Sequence, residues 1–253
     1  MRNDIRNKLQ PCPLSDQALH FRVRKYKIFS TKASLAGVYF QIISEMLCRV
    51  ARNVYICPMK QQLVDIHTHH PTEATTIRTV GVHPWQAAAA TLPDAEAVRA
   101  AEAVGEIGLD KVCSVDFEAQ KTVFEAQLKL AEQQAKPVVL HCVKAFNEVM
   151  QCLARRSLPA VIFHGFIGSK EQAQQALLRG YYLSFGARTA TSPKTVEALR
   201  QTPLDRLFVE SDEATTPLGE LYAEIASLRG ITSEELQAVT RANYRRIFKK
   251  NDG

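Results

Sequence analysis

From Gln61 onward, short apolar runs rich in Val, Ile and Leu alternate with longer segments whose apolar positions recur at helical spacing. Runs that are apolar throughout belong to strands covered on both faces, and their alternation with helices predicts βα units around a parallel sheet. The pattern places strands near 61–66, 78–82, 103–107, 137–141, 160–164, 181–185 and 206–210. Helices are predicted near 94–101, 116–135, 144–156, 169–179, 193–201, 217–228 and 233–248. Ser114-Val115-Asp116, Ser169-Lys170-Glu171, Pro193 and Ser233-Glu234-Glu235 supply the expected helix starts. At 253 residues the chain is long enough for one α/β barrel, and seven strands make it a TIM-barrel-like fold one βα unit short.

The first sixty residues do not share this pattern. Residues 1–33 mix Arg, Lys, Asn and Pro without periodicity, and the apolar stretch 35–56 is broken by Glu45, Arg49 and Arg52, too charged to span a membrane. Met59 leads directly into the first strand, so the expected division is an extension over residues 1–58, with Met59 as the natural start, and a barrel over 59–253. Charge divides at the same place. The net charge is +6 overall, but residues 1–60 carry about +8, which leaves the remainder near −2. The basic balance therefore does not argue for a nucleic-acid groove in the barrel. Six cysteines without a CxxC pair, and no secretory leader, point to reduced thiols and a cytoplasmic setting.

Candidate chemistry lies at the ends of the apolar runs. His67 and His69 follow the first run, His83 the second, Glu106 ends the third, His141 the fourth, His164 the fifth, and Asp212 follows the last. In a parallel barrel the carboxyl ends of the strands converge on one mouth, so residues far apart in sequence meet there. Each signal alone has an ordinary explanation. His67 and His69 fit a solvated strand end, His141 and His164 fit hydrogen-bonded core histidines, Glu106 fits a structural ion pair, and Asp212 fits a helix N-cap. Together they offer nitrogen and oxygen donors for one or two divalent cations, magnesium, manganese or zinc. Glu106 sits in an apolar run flanked by Gly105 and Gly108, where a buried carboxylate needs a cation or a partner.

Other chemistries are poorly supported. Cys142 beside His141 suggests a thiol nucleophile, but strand neighbours face opposite ways, which puts Cys142 in the core. The chain has no GxSxG elbow and no Gly-rich phosphate loop.

The motifs Asp65-Ile66-His67-Thr68-His69, Gly81-Val82-His83-Pro84-Trp85, Gly105-Glu106-Ile107-Gly108-Leu109-Asp110, His141-Cys142-Val143-Lys144-Ala145, His164-Gly165-Phe166-Ile167-Gly168-Ser169 and Glu210-Ser211-Asp212 occur in an order that resembles the TatD family of metal-dependent hydrolases. The resemblance covers about residues 62–248. It implies that His67, His69, Glu106 and Asp212 hold one metal, and that Glu106, His141 and His164 hold a second, with Glu106 bridging. It further implies nuclease activity on DNA, with Asp212 as general base and His83 and Lys144 on the substrate phosphate or developing anion.

Two features depart from the family pattern. Only thirteen residues separate His69 from His83, where the family has a whole βα unit, and Asp212 is followed by Glu213-Ala214-Thr215-Thr216-Pro217 rather than a short proline turn. The functional expectation is a divalent-metal-dependent hydrolase, a phosphodiesterase or DNase, acting as a monomer away from membranes. The alternatives are an amidohydrolase or small-phosphoester hydrolase on the same barrel, and a metal-binding barrel without turnover.

Overall fold

The computed structural model describes residues 62–70, 73–89 and 91–248, so the expected extension over 1–58 lies outside the described residues. Six parallel strands form one sheet in chain order: β1 (Thr79–Val80), β2 (Ala103–Asp110), β3 (Val138–Val143), β4 (Val161–Phe163), β5 (Tyr182–Phe185) and β6 (Leu207–Val209). Seven α-helices intervene or follow: α1 (Ala95–Ala100), α2 (Phe117–Gln133), α3 (Phe146–Leu153), α4 (Lys170–Leu178), α5 (Pro193–Gln201), α6 (Leu218–Arg229) and α7 (Ser233–Phe248). Each predicted helix is present. Asp116 caps α2 by accepting from the Ala119 N–H at 2.9 Å, and Ser169 opens α4 with a reciprocal Ser–Gln172 capping box.

The first predicted strand differs from expectation. Residues 63–69 form isolated bridges rather than a ladder, and they do so on both sides. Asp65 N–H donates to Thr75 O at 2.9 Å and Thr75 N–H to Leu63 O at 2.7 Å, while Ile66 N–H donates to Val209 O at 3.2 Å. The segment thus links the β6 edge to the chain entering β1. Parallel neighbours normally need a crossover of about a dozen residues, usually a helix. No helix occurs among the described residues of this crossover, which is why the first segment bridges instead of pairing along its length.

Alternation along the strands separates two cores. Val138, Leu140, Val161, Phe163, Leu183, Phe185, Leu207 and Val209 pack outward beneath the helices. Val139, Ile162, Tyr182 and Phe208 turn inward and meet Val64, Ile66 and Ala103 to fill the barrel. The same period of two puts His141, two after Val139, and His164, two after Ile162, on the inward face just above that filling. Gly108 permits the close approach of β2 to β3 at this level: it sits at φ +152°, and a Cβ there would lie 1.9 Å from the His141 carbonyl oxygen. Among the described residues no helix is long and apolar enough to cross a membrane.

Candidate metal centre

Glu106 projects from the middle of β2, nearly buried, and its two carboxylate oxygens face different partners. Oε2 lies 3.2 Å from His67 Nε2 and 3.9 Å from His69 Nε2. Oε1 lies 2.6 Å from His141 Nδ1 and 3.6 Å from His83 Nε2, and it also contacts His164 Nε2. Asp212 completes the first side, its Oδ1 being 3.7 Å from His67 Nε2 and 3.6 Å from His69 Nε2. The candidate donors fall into overlapping groups, His67–His69–Asp212, His67–Glu106–His164 and His83–Glu106–His141, each with its ligand atoms within 4.8 Å of one another. All six expected ligands therefore converge, and His83 joins them. Lys144 lines the same cavity of about 990 Å³.

One ordinary explanation for a single residue is removed by this geometry, and the setting of a second is defined. Asp212 caps no helix, since α6 begins beyond Pro217. Glu106 has only imidazoles as ionic partners among the described residues. Burial alone would raise its pKa, but hydrogen bonds from His141, His164, His67 and His83 hold it far below the usual carboxylate range. The Cys142 thiol is half-buried rather than fully buried, and desolvation pushes its pKa up to about 12, so it stays protonated and is a poor nucleophile.

Two outer carboxylates stand behind the inner histidines. Asp110 Oδ2 is 3.3 Å from His141 Nε2, and Glu210 Oε1 is 3.3 Å from His164 Nδ1. An imidazole that donates its outer N–H to a carboxylate presents the inner nitrogen with its lone pair free, the arrangement that orients metal-ligating histidines. Donor chemistry and orientation therefore both fit a divalent cation. The burial of His164 would lower its pKa, but the charge of Glu210 and the hydrogen bonds to Glu106 and Glu210 raise it well above the ordinary histidine value.

The scaffold fixes the remaining pieces through main-chain contacts. Buried Gln127 of α2 clamps Val82, the residue before His83, accepting its N–H at 2.6 Å and donating to its carbonyl at 3.0 Å. Buried Asp65 accepts the Ser211 N–H at 2.9 Å and the Ser211 hydroxyl at 2.7 Å, tying the His67 segment to the end of β6. Burial shifts the Asp65 carboxyl upward despite these bonds. Lys144 and Asp212 both adopt left-handed backbone, at φ 52° and φ 53°. Such strain persists where the surroundings over-determine it, and here it aims two site residues at the cavity.

Asp65, Asp110, Glu210, Ser211 and Arg188 carry no role in the sequence reading. A signal existed for Asp110: Glu106, Gly108 and Asp110 share one face at a period of two, so the carboxylate that reaches His141 from behind was predictable from the one that reaches it in front. The same rule links Phe208 to Glu210. Arg188 has no such signal, because it lines the cavity from the irregular loop after β5.

Residues 45–249 match the family described as TatD related DNase. The 3'-5' ssDNA/RNA exonuclease TatD of Cronobacter sakazakii is 31% identical over 202 residues, covering 68% of this chain and 77% of that protein. The metal-dependent hydrolase YabD of Bacillus subtilis is 32% identical over 169 residues, covering 59% of this chain and 66% of the relative. The crystal structure of YjjV, a TatD homolog from Escherichia coli, superposes with a TM-score of 0.63 at 26% identity, covering 69% of this chain and 77% of that one. The chain thus spans about two thirds of YabD and rather more of the exonuclease. With a family match that begins ahead of Met59 and runs to the end of the last helix, this chain belongs to the TatD related DNase family.

Proposed function

We propose that the protein is a phosphodiesterase acting on nucleic acid and using two divalent cations, and that Glu106 bridges them. The observation that carries this reading is the division of labour within one carboxylate: Oε2 toward His67 and His69, Oε1 toward His141 and His164. His67, His69, Asp212 and Glu106 would hold one cation, and His141, His164 and Glu106 the other. Magnesium or manganese suits the carboxylates and a phosphate substrate, while zinc suits the imidazoles. When bound, such cations neutralise phosphate charge and make hydroxide available near neutral pH.

The protein's own groups then have distinct tasks. Asp212, about a third exposed, lines the cavity and would accept the proton of the attacking water on a carboxylate oxygen. His83, Lys144 and Arg188 border the same space and would bind the phosphate oxygens. Buried Asp110 and Glu210 keep His141 and His164 in the ligating orientation. The names of the exonuclease relatives support single-stranded DNA or RNA as substrate.

A small phosphoester is the second reading, favoured by the cavity wall, where Lys144 and Arg188 are the two lysine or arginine side chains among the described residues. Purified full-length protein is assayed on single-stranded DNA and on small phosphate monoesters and diesters, with magnesium or manganese, beside Asp212→Asn. Metal-dependent cleavage of DNA by the unmutated protein and not by the variant supports the proposal; equal activity in both overturns it.

A further inference from the structure

We propose that Trp85 is a stacking platform for an unpaired nucleobase next to the scissile phosphate, an inference that rests on the nuclease reading above. Trp85 is the sole tryptophan of the chain. It is 57% exposed at the rim of the metal-centre cavity, beside Val112, which is 62% exposed and lines the same cavity. Large apolar side chains left open beside a polar site commonly mark a ligand surface.

The indole is open yet held in place. Its Nε1–H donates to Asp110 Oδ2 at 2.7 Å. Asp110 is 3% exposed, and its other oxygen accepts the Val112 N–H at 2.7 Å and the Cys113 N–H at 3.3 Å. The His83 ring packs against the indole at 4.7 Å and 86° between planes. An aromatic ring immobilised before binding loses little conformational freedom when a second ring stacks on it.

Position selects the occupant. The Trp85 ring is one side chain away from His83, whose Nε2 is 3.6 Å from Glu106 Oε1, so a phosphate at the metal centre leaves its attached nucleoside beside the indole. Lys144 and Arg188 offer charge to the neighbouring phosphates. A base stacked within a duplex has both faces covered, whereas an unpaired base offers a face, and any base offers one. The platform therefore selects single strands and reads no sequence. It is also wired to the metal centre, because Asp110 Oδ2 serves both the indole N–H and His141 Nε2, the latter at 3.3 Å.

A sole tryptophan makes the test direct. Full-length protein is titrated with a phosphorothioate-linked tetrathymidylate, which resists cleavage, and with an abasic chain of the same length and linkage, while the intrinsic fluorescence is read. The expected result is quenching by the base-bearing chain and about tenfold weaker binding of the abasic one. Binding of fluorescein-labelled tetrathymidylate, followed by anisotropy, should weaken about tenfold in Trp85→Ala and stay within about threefold in Trp85→Phe, which can still stack. On the ordinary phosphodiester chain, the KM of Trp85→Ala should exceed that of Trp85→Phe, whereas any fall in kcat should be the same in both, because both lack the indole N–H that Asp110 accepts. Equal binding of the two chains, unchanged fluorescence at saturation, or no binding of either overturns the platform. Cleavage by the unmutated protein is scored separately: if it cleaves while the stacking signals are absent, only the platform fails, and if it does not cleave with metal loaded, the nuclease reading fails.

Discussion

The N–H of Asp212 donates to the carbonyl of His67 at 3.0 Å, and the N–H of His69 returns a bond to the Asp212 carbonyl at 3.1 Å. Two parts of the candidate centre from opposite ends of the barrel are thus one piece of backbone structure. The left-handed φ of 53° at Asp212 is tolerated by Asp and Asn far better than by bulkier residues. Asp212→Asn should therefore keep the fold, with a melting temperature within a few degrees of the unmutated protein, while metal-dependent hydrolysis falls more than about 100-fold. Thermal melts and initial rates on the same preparations check both halves.

Glu106→Ala should deplete both cation sites together. Even an outer partner of a metal ligand is worth about 10–100-fold in affinity, and a bridging carboxylate should exceed that at each site. Elemental analysis and calorimetric titration with manganese measure it. Retention of one stoichiometric site at unchanged affinity would show that Glu106 serves a single cation.

Gly108→Ala should be among the most damaging single-methyl changes in the chain. Its Cβ would meet the His141 carbonyl at 1.9 Å in a backbone region that L-residues avoid. Strand β2 must move away from β3 or the variant unfolds, a cost on the order of 3 kcal/mol or more. Urea denaturation gives the number, and metal affinity should fall with it because His141 moves too.

Alkaline stability should depend on Cys152. Burial, then the nearby Glu125 carboxylate, push this thiol from 9.0 up to about 11, and its sulfur lies 3.6 Å from Glu125 Oε1. A pKa raised on folding gives stability that is fully present below the unfolded value and is lost as pH rises through the folded one. The window here runs from about pH 9 to about pH 11. Melting temperatures across that range should fall less steeply for Cys152→Ala than for the unmutated protein; parallel slopes would assign the alkaline loss elsewhere.

Much of this architecture is legible in the chain because parallel strands buried on both faces leave a strong apolar signature, and β3 and β4 each end that signature in a histidine. The helices are equally legible, since Asp116, Ser169 and Ser192 cap helices as local chemistry requires. The first run was harder. Its residues look like a strand, but a ladder needs a partner along its length, and the short crossover gives it one bridge on each side. Outer carboxylates are legible only once the strand face is known: Asp110 reads as a motif ending until Glu106 is placed on the same side of β2. Trp85 was invisible for a different reason, since exposure at a cavity rim depends on what packs nearby and leaves no periodic trace.

Among the described residues, the stretch between His70 and Thr75 carries no candidate ligand: the histidines and carboxylates sit on the segment before it, on the later strands or just beyond the ends of those strands. Wall and chemistry are therefore uncoupled at this seam. Lengthening it would raise the rim beside Thr76 and Ile77, which border the cavity, without displacing a ligand. The seam is the natural place to graft a loop or helix that narrows the entrance, and so to tune which polymers enter while the hydrolytic machinery stays as it is.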